Sequence, residues 1–196
     1  MKKLSTYLFL IFFSFQTPSW AEDIRDLQIE GMSIGDSLLD YFDLDEMNNF
    51  YVAIYPSSDD YKGYEIPQSL SKIKFSTYES ITVNWKKKDK KMKIVAISGI
   101  KLYPNNLEAC LKERDKTAEK IKKILNNAKE ERYEMSWGKD SDSKGYVIDL
   151  SIESGSIRVW CTDWDKKTEK EKNWVDTLNV DASSQKYLDW LNNEAY

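Results

Sequence analysis

The sequence predicts an α+β domain of two layers: a mostly antiparallel sheet packed by one long central helix, with short N- and C-terminal helices. Three observations carry that expectation. Residues 92–103, Met-Lys-Ile-Val-Ala-Ile-Ser-Gly-Ile-Lys-Leu-Tyr, are rich in β-branched residues and bounded by turn signals, as a strand is. Leu107, Leu111, Ala118, Ile121 and Leu125 follow at helical spacing. Tyr146, Ile148, Leu150 and Ile152 alternate with Val147, Asp149 and Ser151, and Glu153-Ser-Gly-Ser156 turns the chain into Ile157–Trp164, a hairpin pattern.

The chain opens on Met1-Lys2-Lys3, an apolar run from Leu4 to Phe15, and Pro18-Ser19-Trp20-Ala21. A short basic start, a short apolar run and small residues at Ser19 and Ala21 match a secretory leader, so residues 1–21 are expected to be removed and 22–196 to form a single domain. The apolar run is too short for a stable transmembrane helix. Taking Lys2 and Lys3 from 29 basic residues leaves 27 against 33 acidic ones, a net charge of −6. An acidic chain without a dense basic face is a poor partner for nucleic acid. Periplasmic or secreted localisation follows, with no stable membrane insertion after cleavage.

In chain order, Ser33 is expected to cap a first helix with Asp36 in its opening turn and Leu38, Leu39 and Phe42 toward the core. Phe50–Tyr55 reads as a short strand ended by a loop at Pro56–Asp60, and Ile73–Tyr78 and Ser80–Trp85 read as two more. Lys86–Lys91 is a lysine-rich hairpin tip leading into the 92–103 strand. Asn105 and Glu108 form the expected capping box of the central helix, with Asn126-Asn127 as its stop. Tyr133–Trp137 is a further strand, Lys166–Asn173 a solvated loop, and Trp174–Val180 a last strand. Asp181 is expected to cap a terminal helix striped by Tyr187, Leu188 and Leu191.

Cys110 and Cys161 are the two cysteines, and in an exported chain they are expected to pair. Periodicity supports this. Cys110 sits between Leu107 and Leu111 on the apolar helix face, and Cys161 alternates with Ile157 and Val159 on one strand face, so both thiols point into one helix–sheet interface.

Gly31-Met-Ser, followed by an acidic residue and an apolar pair, resembles the first helix of BamE- and PepSY-like two-layer envelope domains over about ten residues. Tyr103-Pro-Asn-Asn-Leu-Glu-Ala-Cys110, Val159-Trp-Cys-Thr-Asp-Trp164 and Tyr187-Leu-Asp-Trp-Leu191 together resemble a group of small secreted bacterial proteins of unknown function, across most of residues 90–191. That resemblance implies a shared disulfide-linked fold and transfers no activity.

Candidate chemistry is sparse. Ile34-Gly-Asp-Ser-Leu38 looks like the nucleophile block of the GDSL esterases, but such a serine needs a histidine base and the chain has no histidine. The same absence removes the commonest metal ligand, and no metal or cofactor is expected. Asp140–Gly145 imitates the first half of a calcium loop, but Lys144 and Ser151 occupy positions five and twelve, where ligands are required. Paired carboxylates of a glycan hydrolase remain as an alternative, with Asp163 and Asp165, or Asp43 and Asp45, as the nearest pairs; a solvated strand end and helix-end charges account for them more simply.

Aromatics are the compositional excess. Beyond the leader lie Trp85, Trp137, Trp160, Trp164, Trp174 and Trp190. If Cys161 faces the helix, alternation turns Arg158, Trp160, Thr162 and Trp164 to the other sheet face, where flat rings beside Arg158 and Asp163 suit a sugar or a peptide. Two readings stay open at this point: another segment, such as the N-terminal helix, covers these rings, or they form a binding face for an unknown protein or glycan. The expectation is an exported non-enzymatic binding protein without catalytic residues; the alternatives are the carboxylate-dependent glycan hydrolase and a purely structural envelope component.

Overall fold

The computed structural model describes residues 23–137 and 141–195, so the expected leader and Asp140 of the calcium-like loop lie outside the described residues. Eight strands form one antiparallel sheet: β1 (Tyr51–Ala53), β2 (Tyr61–Pro67), β3 (Ser80–Lys86), β4 (Ile94–Leu102), β5 (Lys129–Ser136), β6 (Lys144–Ile152), β7 (Gly155–Asp163) and β8 (Thr177–Ser184). Their spatial order is β1-β2-β3-β4-β8-β7-β6-β5. Two meanders thus join through β4 and β8, and a long helix, α2 (Leu107–Ile124), carries the chain from the middle of the sheet to its far edge. Three shorter helices complete the fold: α1 (Leu44–Met47), α3 (Lys166–Lys172) and α4 (Gln185–Asn193).

Strand alternation sorts the side chains into an inner and an outer face. One inner row runs across the register from Val83 to Ile97, Ala182, Ile157 and Leu150, all buried. Over β6, β7 and β8 this face is covered by α2, through Cys110, Ala118 and Ile121. The Cys110–Cys161 disulfide forms there, with Cα atoms 6.1 Å apart and a sequence separation of 51. Closing a loop of that length contributes roughly 4 kcal/mol in the chain-entropy account.

The expected two-layer arrangement around a central helix is overturned. The domain is one sheet in which strand outweighs helix, 38% against 28% of the described residues. A helix about 10 Å wide spans only two or three strands spaced ~4.8 Å apart, so α2 cannot form a layer over eight. The rest of the inner face is covered by residues 24–50 running largely as loops and 3-10 turns, with Ile24, Leu27, Ile29, Met32, Ile34, Leu38, Phe42, Met47 and Phe50 all in the main core. The third cover, α4, lies on the outer face.

Several elements differ from expectation for identifiable reasons. The helix expected from Ser33 does not form: the Ser33 N–H donates to Asp36 Oδ2, Gly35 takes a positive φ of 95°, and only a 3-10 turn at Leu38–Asp40 follows. Leu38 and Phe42 are buried, but Leu39 is 41% exposed. Ser37 sits before that turn and donates its hydroxyl to the Lys91 carbonyl, a tether to the lysine-rich hairpin tip. Asn105 has a positive φ and its neighbour Asn106 caps α2 instead, accepting from the Ala109 N–H.

Ile73–Tyr78 is no strand. The Glu30 carboxylate accepts the N–H groups of Ser76, Thr77 and Tyr78 and the Ser76 hydroxyl, which consumes the donors a ladder would need. Burial alone would raise the Glu30 pKa, but these bonds outweigh it and hold the carboxyl below its ordinary value. The strand paired to β3 is instead Tyr61–Pro67. Lys166–Asn173 is mostly helix rather than loop, and Asp181 lies inside β8, with Ser184 at the start of α4. Among the described residues no helix is long and apolar enough to cross a membrane.

Candidate functional site

On the outer face, the strand registers place Trp160 beside Asn179, Asn179 beside Ile100, and Ile100 beside Ser80; the next row holds Thr162, Thr177 and Leu102. These residues floor a groove of about 430 Å³ whose walls are Trp160, Trp164, Trp174, Asn173 and Val175, with Glu65 at one end. Thr162 and Asn179 are buried beneath the rings, and Asn179 donates its side-chain N–H to Thr177 Oγ1.

Four tryptophans form a continuous chain of ring contacts along this end of the sheet. Trp137 lies 5.5 Å from Trp160 and 5.4 Å from Trp164, centroid to centroid, and Trp164 lies 4.5 Å from Trp174. Trp174 is 48% exposed and Trp137 36%, while Trp160 and Trp164 are half-buried.

Two loops bring the outer rings in. Ser136, Lys144 and Asp163 are neighbours in register, so the β5–β6 turn and the β7–β8 connection leave the sheet at the same end. Asp165 staples them together: it caps α3 through the Thr168 N–H and hydroxyl and accepts the hydroxyls of Ser141 and Ser143. Those donors hold the Asp165 carboxyl far below the usual carboxylate range. The Trp137 backbone N–H in turn donates to the Ser143 carbonyl.

The strand tryptophans are anchored by carboxylates. Trp160 Nε1 donates to Asp181 Oδ2 at 2.7 Å, and the Trp164 backbone N–H donates to buried Asp176 at 2.9 Å. Burial raises the pKa of both carboxyls, while the bond from Trp160 works against the rise at Asp181 and that from Trp164 against it at Asp176.

The four residues expected to form the binding face therefore separate. Trp160 and Trp164 line the groove. Arg158 shares their face but sits one row toward α4, paired to Asp149 at 3.2 Å and lining a small polar cavity of about 130 Å³ with Asn84, Ser98, Asp181, Ser183 and Tyr187. Asp163 ends β7 with the parity of Cys161, so alternation turns it to the opposite side from the rings. Trp174 completes the groove lining, and Trp137 backs Trp160 and Trp164. The strands expected at Tyr133–Trp137 and Trp174–Val180 end at Ser136 and begin at Thr177, which leaves both rings in connections, and only the pairing of β5, β6 and β7 shows that those connections meet.

The segment expected to cover the rings does not reach them: residues 24–50 pack on the inner face. Of the acid pairs, Asp165 is a structural cap, and Asp43 caps α1 while pairing with Lys72 at 2.6 Å. No family model, no curated protein and no solved structure matches this chain. The likenesses at residues 31–42 and 90–191 accordingly stand on their residues alone.

Proposed function

We propose that this is an exported, non-enzymatic binding protein that engages a protein or glycan ligand through the tryptophan groove on the outer sheet face, in the periplasm or outside the cell. One observation carries the reading: four tryptophans linked in a chain of ring contacts remain partly open to solvent at one end of a sheet whose other face, over β6, β7 and β8, is packed by α2. Aromatic clusters of this kind on a protein surface mark recognition sites, because a ring offers large contact area for little lost side-chain freedom. The disulfide supports an oxidising compartment, where such bonds persist. For the hydrolase alternative, two carboxylates must face each other across a cleft. The groove lining contributes one, Glu65.

The reading is tested by immobilising the wild-type protein and a Trp137→Ala/Trp174→Ala variant and comparing what each retains from an envelope extract of the producing cell. The variant is expected to lose the material that the wild type retains. Identical retention by a variant with a native circular dichroism spectrum removes the groove as the binding surface.

A further inference from the structure

We infer that the ligand of the groove is a neutral saccharide chain; this narrowing rests on the groove being a binding site, and it follows from what the lining offers and withholds. The offered surface is indole ring plus small neutral polar groups. Ser80, Thr177 and Asn173 line the groove together with Trp160, Trp164 and Trp174. Hydroxyl and carboxamide groups both donate and accept hydrogen bonds, which matches sugar hydroxyls that do the same. The electron-rich ring faces suit the C–H-bearing face of a pyranose.

What the lining withholds counts against charged ligands and strand-adding peptides. It contains no lysine or arginine and one carboxylate, Glu65, so an anionic polymer or a phosphate-bearing ligand meets no counter-charge. Arg158, one row away on this face, is already held by Asp149. A quaternary ammonium needs rings standing apart around it. Here Trp164 and Trp174, two of the three lining rings, lie with centroids 4.5 Å apart, so no cation fits between that pair. An extended peptide adding itself as a strand needs a free sheet edge. The groove lies over β3, β4, β8 and β7, each of which is paired on both sides.

Trp160 is preset for a role of this kind. Its N–H is taken up by Asp181, which fixes the ring's orientation from below and leaves its faces for contact with Trp137 and with a ligand. A ring fixed before binding loses little entropy on binding.

The test titrates the full chain with cellohexaose, xylohexaose, chitohexaose, maltohexaose and laminarihexaose, following tryptophan fluorescence and calorimetry. A proline-rich dodecapeptide and polygalacturonate serve as competitor classes. At least one neutral hexasaccharide is expected to bind and to shift the emission, with affinity falling roughly thirtyfold in Trp174→Ala, the loss typical of an aromatic anchor, and less in Trp137→Ala, which removes a ring behind Trp160 and Trp164. Trp174→Tyr, which keeps a ring, is expected to retain part of the affinity and guards against an alanine variant that fails to fold. Absence of binding to every neutral hexasaccharide, or binding to the peptide or polygalacturonate alone, overturns the saccharide assignment. Retention of envelope material by the double alanine variant then decides separately whether the groove is a binding site at all.

Discussion

Two aromatic clusters share the outer face of one sheet and have opposite fates. Toward the β1–β3 end, Tyr187 and Trp190 of α4 pack on Tyr55 and Tyr61 with centroids 4.6 to 5.6 Å apart, and are themselves only 4% and 5% exposed. Three of the four polar ends are satisfied internally: the Tyr55 hydroxyl bonds Tyr187 and Asn84, and Trp190 Nε1 donates to Ser58. At the opposite corner, Trp137, Trp160, Trp164 and Trp174 make ring contacts of similar length, yet Trp137 and Trp174 stay 36% and 48% exposed. Ring density and ring spacing do not distinguish a core from a recognition surface. The cover does, and α4 is nine residues long, enough to seal one cluster and too short to reach the other.

The largest expected effect belongs to the sealed cluster. Trp190→Ala is expected to cost about 3–5 kcal/mol of unfolding free energy, as truncation of a buried tryptophan does, measured by urea denaturation. Saccharide affinity of the folded fraction should stay unchanged. A loss below about 1 kcal/mol would mean that α4 is not a true cover and that the two clusters differ less than their exposures indicate.

Asp181 sits between the clusters, anchoring Trp160 on one side and lining the cavity under α4 on the other. Its pKa is raised by burial, so between the ordinary carboxylate value and the raised one the folded state holds more protons than the unfolded state. Stability from this group is therefore present at low pH and is lost as pH rises through the raised value. Arg158 and Asp149 are the charged groups facing it, Arg158 opposing the rise and Asp149 adding to it. Asp181→Asn keeps an acceptor for Trp160 and is expected to flatten the melting-temperature profile as pH rises above the ordinary carboxylate range. At neutral pH the variant should match or exceed the wild type, by up to about 1 kcal/mol. An equally sloped profile in the variant would assign the pH dependence to another group.

The smallest stability effect is expected at the open cluster. Trp174→Ala removes a ring that is half in solvent, and its cost should stay near or below about 1 kcal/mol while ligand affinity collapses. A cost as large as that of Trp190→Ala would make Trp174 a structural residue and the groove a poorly covered piece of core.

Legibility in the sequence followed the range of the interactions. The β6–β7 and β3–β4 hairpins could be read because strict alternation is local to each strand. The Cys110–Cys161 pairing could be read because helix and strand periodicity both mark the buried side. The strand at Tyr61–Pro67 was hidden by Gly63 and by the terminal proline; Gly63 is there because a Cβ would come within 2.4 Å of Asn84 Oδ1. The segment Ile73–Tyr78 has strand composition, but Glu30, more than 40 residues earlier in the chain, takes its amides. Half the candidate site was visible, Trp160 and Trp164 on the face opposite Cys161. Trp137 and Trp174 were not, since nothing local shows which loops meet at one end of a sheet.

Periodicity by itself determined which side of each well-patterned strand looks inward, that the two cysteines meet, and that Trp160 and Trp164 face away from α2, because these follow from bond geometry repeated every two or every 3.6 residues. Only the tertiary structure decided that the helices do not make a second layer, that residues 24–50 close the inner face, and which ring cluster stays open. Those outcomes depend on where a segment of given length ends up in space, and that position is set by contacts between residues far apart in the chain.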